Sequence, residues 1–242
     1  MAATAPGLTP SQRLTTLAAT IDATPADATT GLPYTYLHTQ TWARATNAIT
    51  RTDLRRWRHD ADGSGQEITR RLPDVPGINH RPQPDEPTLF AKARETSTRH
   101  RAGDLHPYLP TPPPLDPAAL AGLLTPRELA AESAYPRMLT GGIVGLATSQ
   151  YLNREQRAAC LRVLAAVPGI TYAGASTDIA GRPGLAFTVT ADESTSTLIV
   201  DARTGELLAA HERLTGQRPG LFSHVLVLER GHTTKAGATL RP

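Results

Sequence analysis

Eight histidines are the residues of this sequence that most readily suggest metal or acid–base chemistry. They include no His-x-x-x-His pair and no HExxH segment, the spacings that place two metal ligands on one helix face. The pattern therefore predicts no metal site, and we interpret His38 and His224 as half-buried strand residues. A hydrolase would need the fold to bring His38, His59 or His224 beside a carboxylate.

Nucleophilic chemistry has little support in the sequence. The single cysteine, Cys160, lies among apolar residues in a predicted helix, where nothing nearby in sequence would lower its pKa. Gly63-Ser64-Gly65 falls in a predicted hairpin turn and lacks the strand-to-helix context of a serine nucleophile elbow. The carboxylates of Asp60 and Asp62 are better explained as turn formers. We predict no enzymatic activity and no cofactor.

A basic cluster surrounds Trp57. A hairpin with arginines on one face could meet an anionic partner, and the alternative is a solvated strand face that discourages edge pairing. The residues predicted to bind a partner are Arg55, Arg56, Trp57, Arg58 and Arg70, accompanied in the cluster by Arg51 and Arg71.

Composition limits the classes of protein to consider. The 242 residues are 39% hydrophobic, enough for a real core, and carry a net charge of +3, too small by itself to indicate a specific nucleic-acid partner. Only Lys92 and Lys235 are lysines, so the basic charge is almost all arginine. No stretch is long and apolar enough to span a membrane, and we expect the chain as given to be soluble.

Start signals and turn residues predict the elements that would position these side chains. Thr9 with Gln12, and Asn153, are typical of helix starts, whereas Thr125 to Glu128 resembles a capping box before a helix interrupted at Tyr135-Pro136. We expect one domain over 1–242, with a linker at 23–33 and a long proline-rich surface excursion at 73–114 that has a helical turn near 89–94. Predicted strands at 34–42, 51–59 and 66–72 are followed by helices near 117–124, 127–149 and 153–167.

The last 74 residues predict an antiparallel meander. Strand candidates at 170–176, 185–190, 197–200, 207–213 and 222–229 are separated by short turns. Alternating apolar residues give one hydrophobic face, which either packs a core beneath the helices or lines an apolar cleft. The candidates for lining a ligand cleft are Leu185, Phe187, Val189, Leu198, Val200, Val225 and Val227.

Several strings in these elements resemble an actinobacterial family of membrane-anchored proteins of unknown function. They are the strand from Tyr34-Thr35-Tyr36 to Trp42, the hairpin from Trp57 to Gly65, the run from Arg157 to Gly184 with Asp178 and Gly181-Arg182-Pro183-Gly184, and Asp201 with Thr204 and Gly205. The resemblance covers roughly residues 30–215, and its motifs are structural turns and strand edges. It carries no catalytic residue over to this chain.

The resemblance implies a fold similar to the half-open β-barrels of the LolA and RseB type, in an extracytoplasmic domain of the cell envelope. Members of the family also have a cytoplasmic segment and one transmembrane helix, so a membrane anchor is expected only if a segment precedes this chain. We predict an α+β fold, a curved antiparallel sheet covered by helices. We expect a non-enzymatic domain that binds a lipid-like ligand or a protein partner in an apolar cleft, or an interaction or sensor module that uses the arginine-rich hairpin.

Overall fold

The computed structural model describes residues 7–25, 27 and 31–240. The helices are α1 (Pro10–Asp22), α2 (Glu86–Leu89), α3 (Pro117–Leu124), α4 (Tyr135–Ser149) and α5 (Arg154–Ala165), with 3₁₀ turns at Phe90–Lys92 and Arg127–Leu129. The strands are β1 (Tyr34–Arg44), β2 (Ala48–His59), β3 (Gly65–Pro76), β4 (Glu95–His100), β5 (Thr171–Thr177), β6 (Pro183–Ala191), β7 (Ser194–Val200), β8 (Leu207–Leu214) and β9 (Gly220–Thr233). None of the helices in the described residues is long and apolar enough to cross a bilayer.

All nine strands form one antiparallel sheet in the order β4-β3-β2-β1-β9-β8-β7-β6-β5. Two meanders, β1 to β4 and β5 to β9, are joined where β9 pairs with β1. The sheet ends at β4 and β5 and is therefore open. The predicted α+β class with an antiparallel sheet and covering helices is confirmed.

Local capping explains the first and last helices. Thr9 Oγ1 accepts from the Gln12 amide at 3.1 Å while Gln12 Oε1 accepts from the Thr9 amide at 2.9 Å, a complete capping box. Asn153 and Gln156 repeat the motif at the start of α5. Both predicted helix starts are confirmed.

The predicted capping box at Thr125 to Glu128 is wrong. Thr125 is fully buried in extended backbone after α3, and only a 3₁₀ turn follows it. Tyr135-Pro136 begins α4 instead of interrupting a helix, because proline is well tolerated in the first turn, where an amide donor is not needed.

The proline-rich segment 73–114 contains more regular structure than we predicted. β3 continues through Pro73 to Pro76, because the β2–β3 register shifts between Ile49 and Arg51 and a proline at a bulge need not donate to the ladder. β4 then pairs with β3, so this segment contributes a strand as well as the helical turns at 86–92. Part of the predicted linker at 23–33, residues 26 and 28–30, lies outside the described residues.

The two faces of the sheet are covered by different parts of the chain. The helices cover one face of the C-terminal meander, and their apolar side chains share a core with those of β6 to β9. The opposite face is covered by residues 77–94, which we call the strap. Phe90 of the strap packs edge-on against Trp42 at 5.7 Å between ring centroids, within a second core that includes Ile199, Leu221 and Leu226.

Two arginines hold the sheet together where β8 and β9 separate. The β8–β9 ladder ends at the pair of Ala209 and Leu226. Beyond it, Arg182 donates to the carbonyls of Val227 at 2.7 Å and Leu208 at 2.9 Å, and its guanidinium pairs with the buried Asp178 at 2.6 Å. Arg230 donates to the Leu207 carbonyl at 2.6 Å. Since buried carbonyls without a donor are costly, these arginines replace the missing ladder bonds.

We expect Arg182→Ala to lower the free energy of unfolding by about 2–4 kcal/mol, because it removes the ion-pair partner of a buried carboxylate and the donor to two backbone carbonyls. Urea denaturation followed by circular dichroism measures this value. Arg203→Ala, at an exposed turn position, is the control and should change it by less than about 0.5 kcal/mol. Equal stability of the two variants would contradict the role assigned to Arg182.

Candidate ligand pocket

The residues predicted to line a cleft are buried in the interior, and one of them, Leu198, also lines a pocket of about 290 Å³ between α4 and the sheet. Phe187 and Leu198 are completely buried, and six of the seven residues belong to, or pack against, the core that the sheet shares with the helices. Val227 is also completely buried, on β9. The predicted residues are therefore brought together, but as packing. Ligand binding by them stays a prediction.

The arginine-rich hairpin does not present one solvated basic face, and this expectation is corrected. Side chains alternate along β2, so Arg55 and Trp57 lie on one side and Arg56 and Arg58 on the other. Arg56 pairs with Glu67 at 2.6 Å, Arg58 with Asp60 at 2.9 Å, and Arg70 with Glu95 at 2.7 Å. Trp57 is buried and donates its indole N–H to the Ala238 carbonyl at 2.8 Å. Binding of a partner by these residues stays a prediction.

A pocket of about 360 Å³ lies on the sheet face opposite to the helices. Its apolar wall comes from Ile199 of β7, Leu221 of β9 and Ile179 after β5, and Arg81 and Pro82 of the strap close one side. The volume falls within the range that small-ligand sites commonly occupy, about 300–1,000 Å³. The strands predicted to bind a ligand thus offer a pocket on their other face.

Two stacked histidines belong to the polar part of this pocket. His211 and His224 are directly opposite in the β8–β9 register, and their rings lie 5.8 Å apart and nearly parallel. Burial, with the neighbouring His211, lowers the pKa of His224 to about 4. Burial and the charge of Arg213 lower the pKa of His211. Both rings are therefore neutral near pH 7, and His224 Nε2 is buried without a hydrogen-bond partner.

The pocket has more unpaired positive than unpaired negative charge around it. Asp178 is the acid in its lining, and this carboxylate already pairs with Arg182 and accepts from the amides of Ala180 and Arg182 at 2.9 Å. Arg213 is half-buried and Arg81 is exposed at the strap, and neither has an ion pair with a described residue. An anionic group entering the pocket would meet two cations without competing acids.

The strap that closes the pocket is held by a buried carboxylate. Glu86 accepts from Trp42 Nε1 at 2.8 Å and from Arg51 at 3.1 Å, and it pairs with His80 at 2.9 Å. Burial alone would raise the pKa of Glu86, but the hydrogen bonds from Trp42, the Gln83 amide and Arg51 lower it below its usual value. The charged carboxylate therefore anchors the strap to β1 and β2 at neutral pH.

A second buried network supports the strap and includes one of the acid–histidine pairs that hydrolysis would require. His38 Nε2 lies 2.7 Å from Asp53, which also accepts from Gln40 at 2.9 Å, and Gln40 donates to the Pro87 carbonyl at 3.1 Å. His38 and Asp53 are both buried and are not part of the pocket lining. Their contacts connect β1 and β2 to the strap. Among the described residues, no group of three or more metal-ligating side chains converges.

Sequence reasoning missed the pocket although its residues carry a recognisable signal. Ile199 lies between Leu198 and Val200, two predicted lining residues, and so points to the other face. His211 and His224 occupy predicted strands, and His224 was expected to be half-buried there. The part of the chain that covers this second face, the strap, lies more than a hundred residues earlier, and local patterns cannot show that contact.

Comparisons with known proteins add a distant likeness only. No protein-family model and no curated protein matches this chain. Among solved structures, a complex of MucB with MucA(peri) is 14% identical over 93% of this chain with a TM-score of 0.33, and a Pseudomonas aeruginosa MucA/MucB complex is 16% identical over 95% with the same score. A structure of MucB alone is 15% identical over 94% with a TM-score of 0.34. The chain spans 56–60% of the length of these three structures.

We expect His224→Phe to flatten the pH dependence of stability in acid. A lowered folded-state pKa means that the unfolded chain binds the proton more readily. The wild-type protein therefore loses stability as the pH falls from about 6.5, the ordinary value, through about 4. Phenylalanine keeps a planar ring and does not titrate. The measurement is urea denaturation at steps across this interval, and an unchanged slope in the variant would contradict a buried neutral His224.

Proposed function

We propose that this chain is a non-enzymatic binding domain that holds a small ligand with an apolar body and an anionic head in the pocket between the strap and the sheet. The observation that carries the proposal is the unpaired, half-buried Arg213 beside an apolar wall, in a pocket whose acid is already neutralised. A lipid-like acid fits both halves of this chemistry. The proposal keeps the ligand class inferred from the sequence and moves it to the other face of the sheet.

The apolar body of the ligand would rest on Ile199, Leu221 and Ile179. These side chains are largely removed from water in the empty pocket, and burying the remaining apolar surface of wall and ligand favours binding by roughly 25 cal/mol per Å². The neutral rings of His211 and His224 add little cost, because neither imidazole carries a charge that would need solvation. His224 Nε2 offers an unsatisfied polar atom beside the bound ligand.

The head of the ligand would lie between Arg213 and Arg81. Hydrogen bonds from a guanidinium to a carboxylate or phosphate are among the strongest in proteins, roughly 1.5–3 kcal/mol each. Arg213 is fixed on a strand, whereas Arg81 is carried by the strap. We therefore assign the main contribution to Arg213 and expect Arg81 to close over the head from the strap side.

We also propose an extracytoplasmic location in the cell envelope. This part of the proposal rests on the resemblance of the strand and turn strings to the actinobacterial membrane-anchored family. A lipid-like ligand would be available to a domain beside a membrane.

We expect dodecanoate to bind at one molecule per chain, and dodecanol to bind more weakly because it lacks the charge. Native mass spectrometry gives the stoichiometry and isothermal titration calorimetry the affinity. Arg213→Gln should weaken dodecanoate binding about tenfold or more and leave dodecanol unchanged, since a charge-assisted bond contributes roughly 1.5–3 kcal/mol and about 1.4 kcal/mol corresponds to a factor of ten. Ile179→Glu, at a partly buried loop position, should weaken both.

Arg203→Gln is the matched control, because it removes an exposed arginine of a different turn. Circular dichroism of each variant establishes that the fold is intact. Absence of any dodecanoate adduct would refute the proposal. Loss of binding in Leu185→Glu but not in Ile179→Glu would place the ligand beneath the helices, where the sequence first suggested it.

A further inference from the structure

The two edges of the open sheet are not equivalent. β5 is interrupted by a register shift between Tyr172 and Gly174, where Gly174 has a φ of +104°, and Arg13 of α1 stacks over the Tyr172 ring at 4.4 Å. Irregularities of this kind make an edge a poor template for another strand. β4, at the other edge, pairs with β3 over six consecutive residues without any shift. It is the regular edge of the sheet.

β4 is also open to an approaching chain. Its residues Glu95 to Arg99 are exposed, and the backbone hydrogen bonds of β4 found among the described residues go to β3. Every second N–H and C=O along an edge strand points away from the sheet. Six residues at about 3.3 Å each present roughly 20 Å of such backbone.

Cations flank this edge at both ends. Lys92 and Arg94 precede β4 and Arg99 and Arg101 lie at its end, all exposed and none ion-paired with a described residue. The one acid within the strand, Glu95, accepts from Arg70 at 2.7 Å. The local charge is therefore positive, although the whole chain carries only +3.

We propose that β4 is a docking edge for an extended acidic peptide segment, which adds as a tenth strand. The free backbone groups would supply the ladder, and the cations at both ends would pair with acidic residues flanking the segment. A second copy of this chain would bring the same positive edge, so like charges disfavour self-pairing of β4. This edge is remote from the ligand pocket in sheet order, and the inference stands independently of the proposed function.

A fluorescein-labelled peptide of five alternating threonine and valine residues with two glutamates at each end is a suitable probe. Its binding is measured by fluorescence anisotropy, and hydrogen–deuterium exchange locates the amides that become protected. We expect binding that weakens with added salt, together with new protection in β4. The same peptide with both valines replaced by proline keeps its charge but lacks two backbone N–H groups that would donate to β4. We expect its affinity to be at least tenfold weaker.

Charge reversal on the protein tests the cations. Arg94→Glu with Arg99→Glu should weaken binding of the acidic peptide at least tenfold, whereas Arg203→Glu with Lys235→Glu makes the same change in net charge elsewhere and should have little effect. Circular dichroism and the urea denaturation midpoint should be the same in both double variants, which shows that they are folded. Equal binding of the proline peptide, equal loss in the two double variants, or a single-stranded oligonucleotide that binds β4 with higher affinity than the peptide would each overturn the proposal.

Discussion

The pairing of β1 with β9 is the constraint on which the rest of the structure depends. It joins two local meanders into one sheet by contacts between residues almost two hundred positions apart, over ten residue pairs with a single shift after His38. A continuous sheet of nine strands has two faces to bury. The helices cover one face of the C-terminal half, and the strap covers the other where β1 meets β9. The strap packs Phe90 against Trp42, and the pocket lies beside it, where Ile199, Leu221 and the histidine pair form part of the lining.

The arginine-rich composition is largely explained by structural tasks that lysine could not perform. Arg182 reaches a buried carboxylate and two strand carbonyls at once, and Arg157 pairs with Asp27 while donating to the carbonyls of Leu152 and Thr204. A planar guanidinium offers five donors in fixed directions, which a single ammonium group cannot match. This is why a cluster of arginines in the sequence was a poor guide to a binding surface: Arg56, Arg58 and Arg70 each have an acidic partner, in a neighbouring strand or in the hairpin turn.

The parts of the fold that follow from neighbouring residues could be predicted, and those that depend on distant partners could not. Thr9 and Asn153 cap helices with residues three positions away, and most turns of the C-terminal meander contain their own glycines or prolines, the β6–β7 turn at Asp192 and Glu193 being the exception. Alternation along β6 and β7 showed that one face is apolar, but whether Phe187 would line a cleft or fill a core depends on how closely α4 and α5 pack over it. The role of residues 77–94 depends on Glu86 reaching Trp42 and Arg51, which no local pattern encodes.

The pocket favours an anion because the carboxylates near it already have ion-pair or hydrogen-bond partners. Asp178 is neutralised by Arg182, Glu86 by Arg51 and hydrogen bonds from Trp42 and Gln83, and Asp53 is hydrogen-bonded by His38 and Gln40. Asp178 and Glu86 thus have their charges balanced by arginines that also hold the fold, whereas Asp53 keeps one buried oxygen without a hydrogen-bond partner. The two histidines are kept neutral by burial, so they neither compete for an anion nor repel a cation. Among the residues that line the pocket, Arg213 is a half-buried charge without an ion pair to a described residue. Since leaving such a charge unpaired is costly, the site is complementary to an anion.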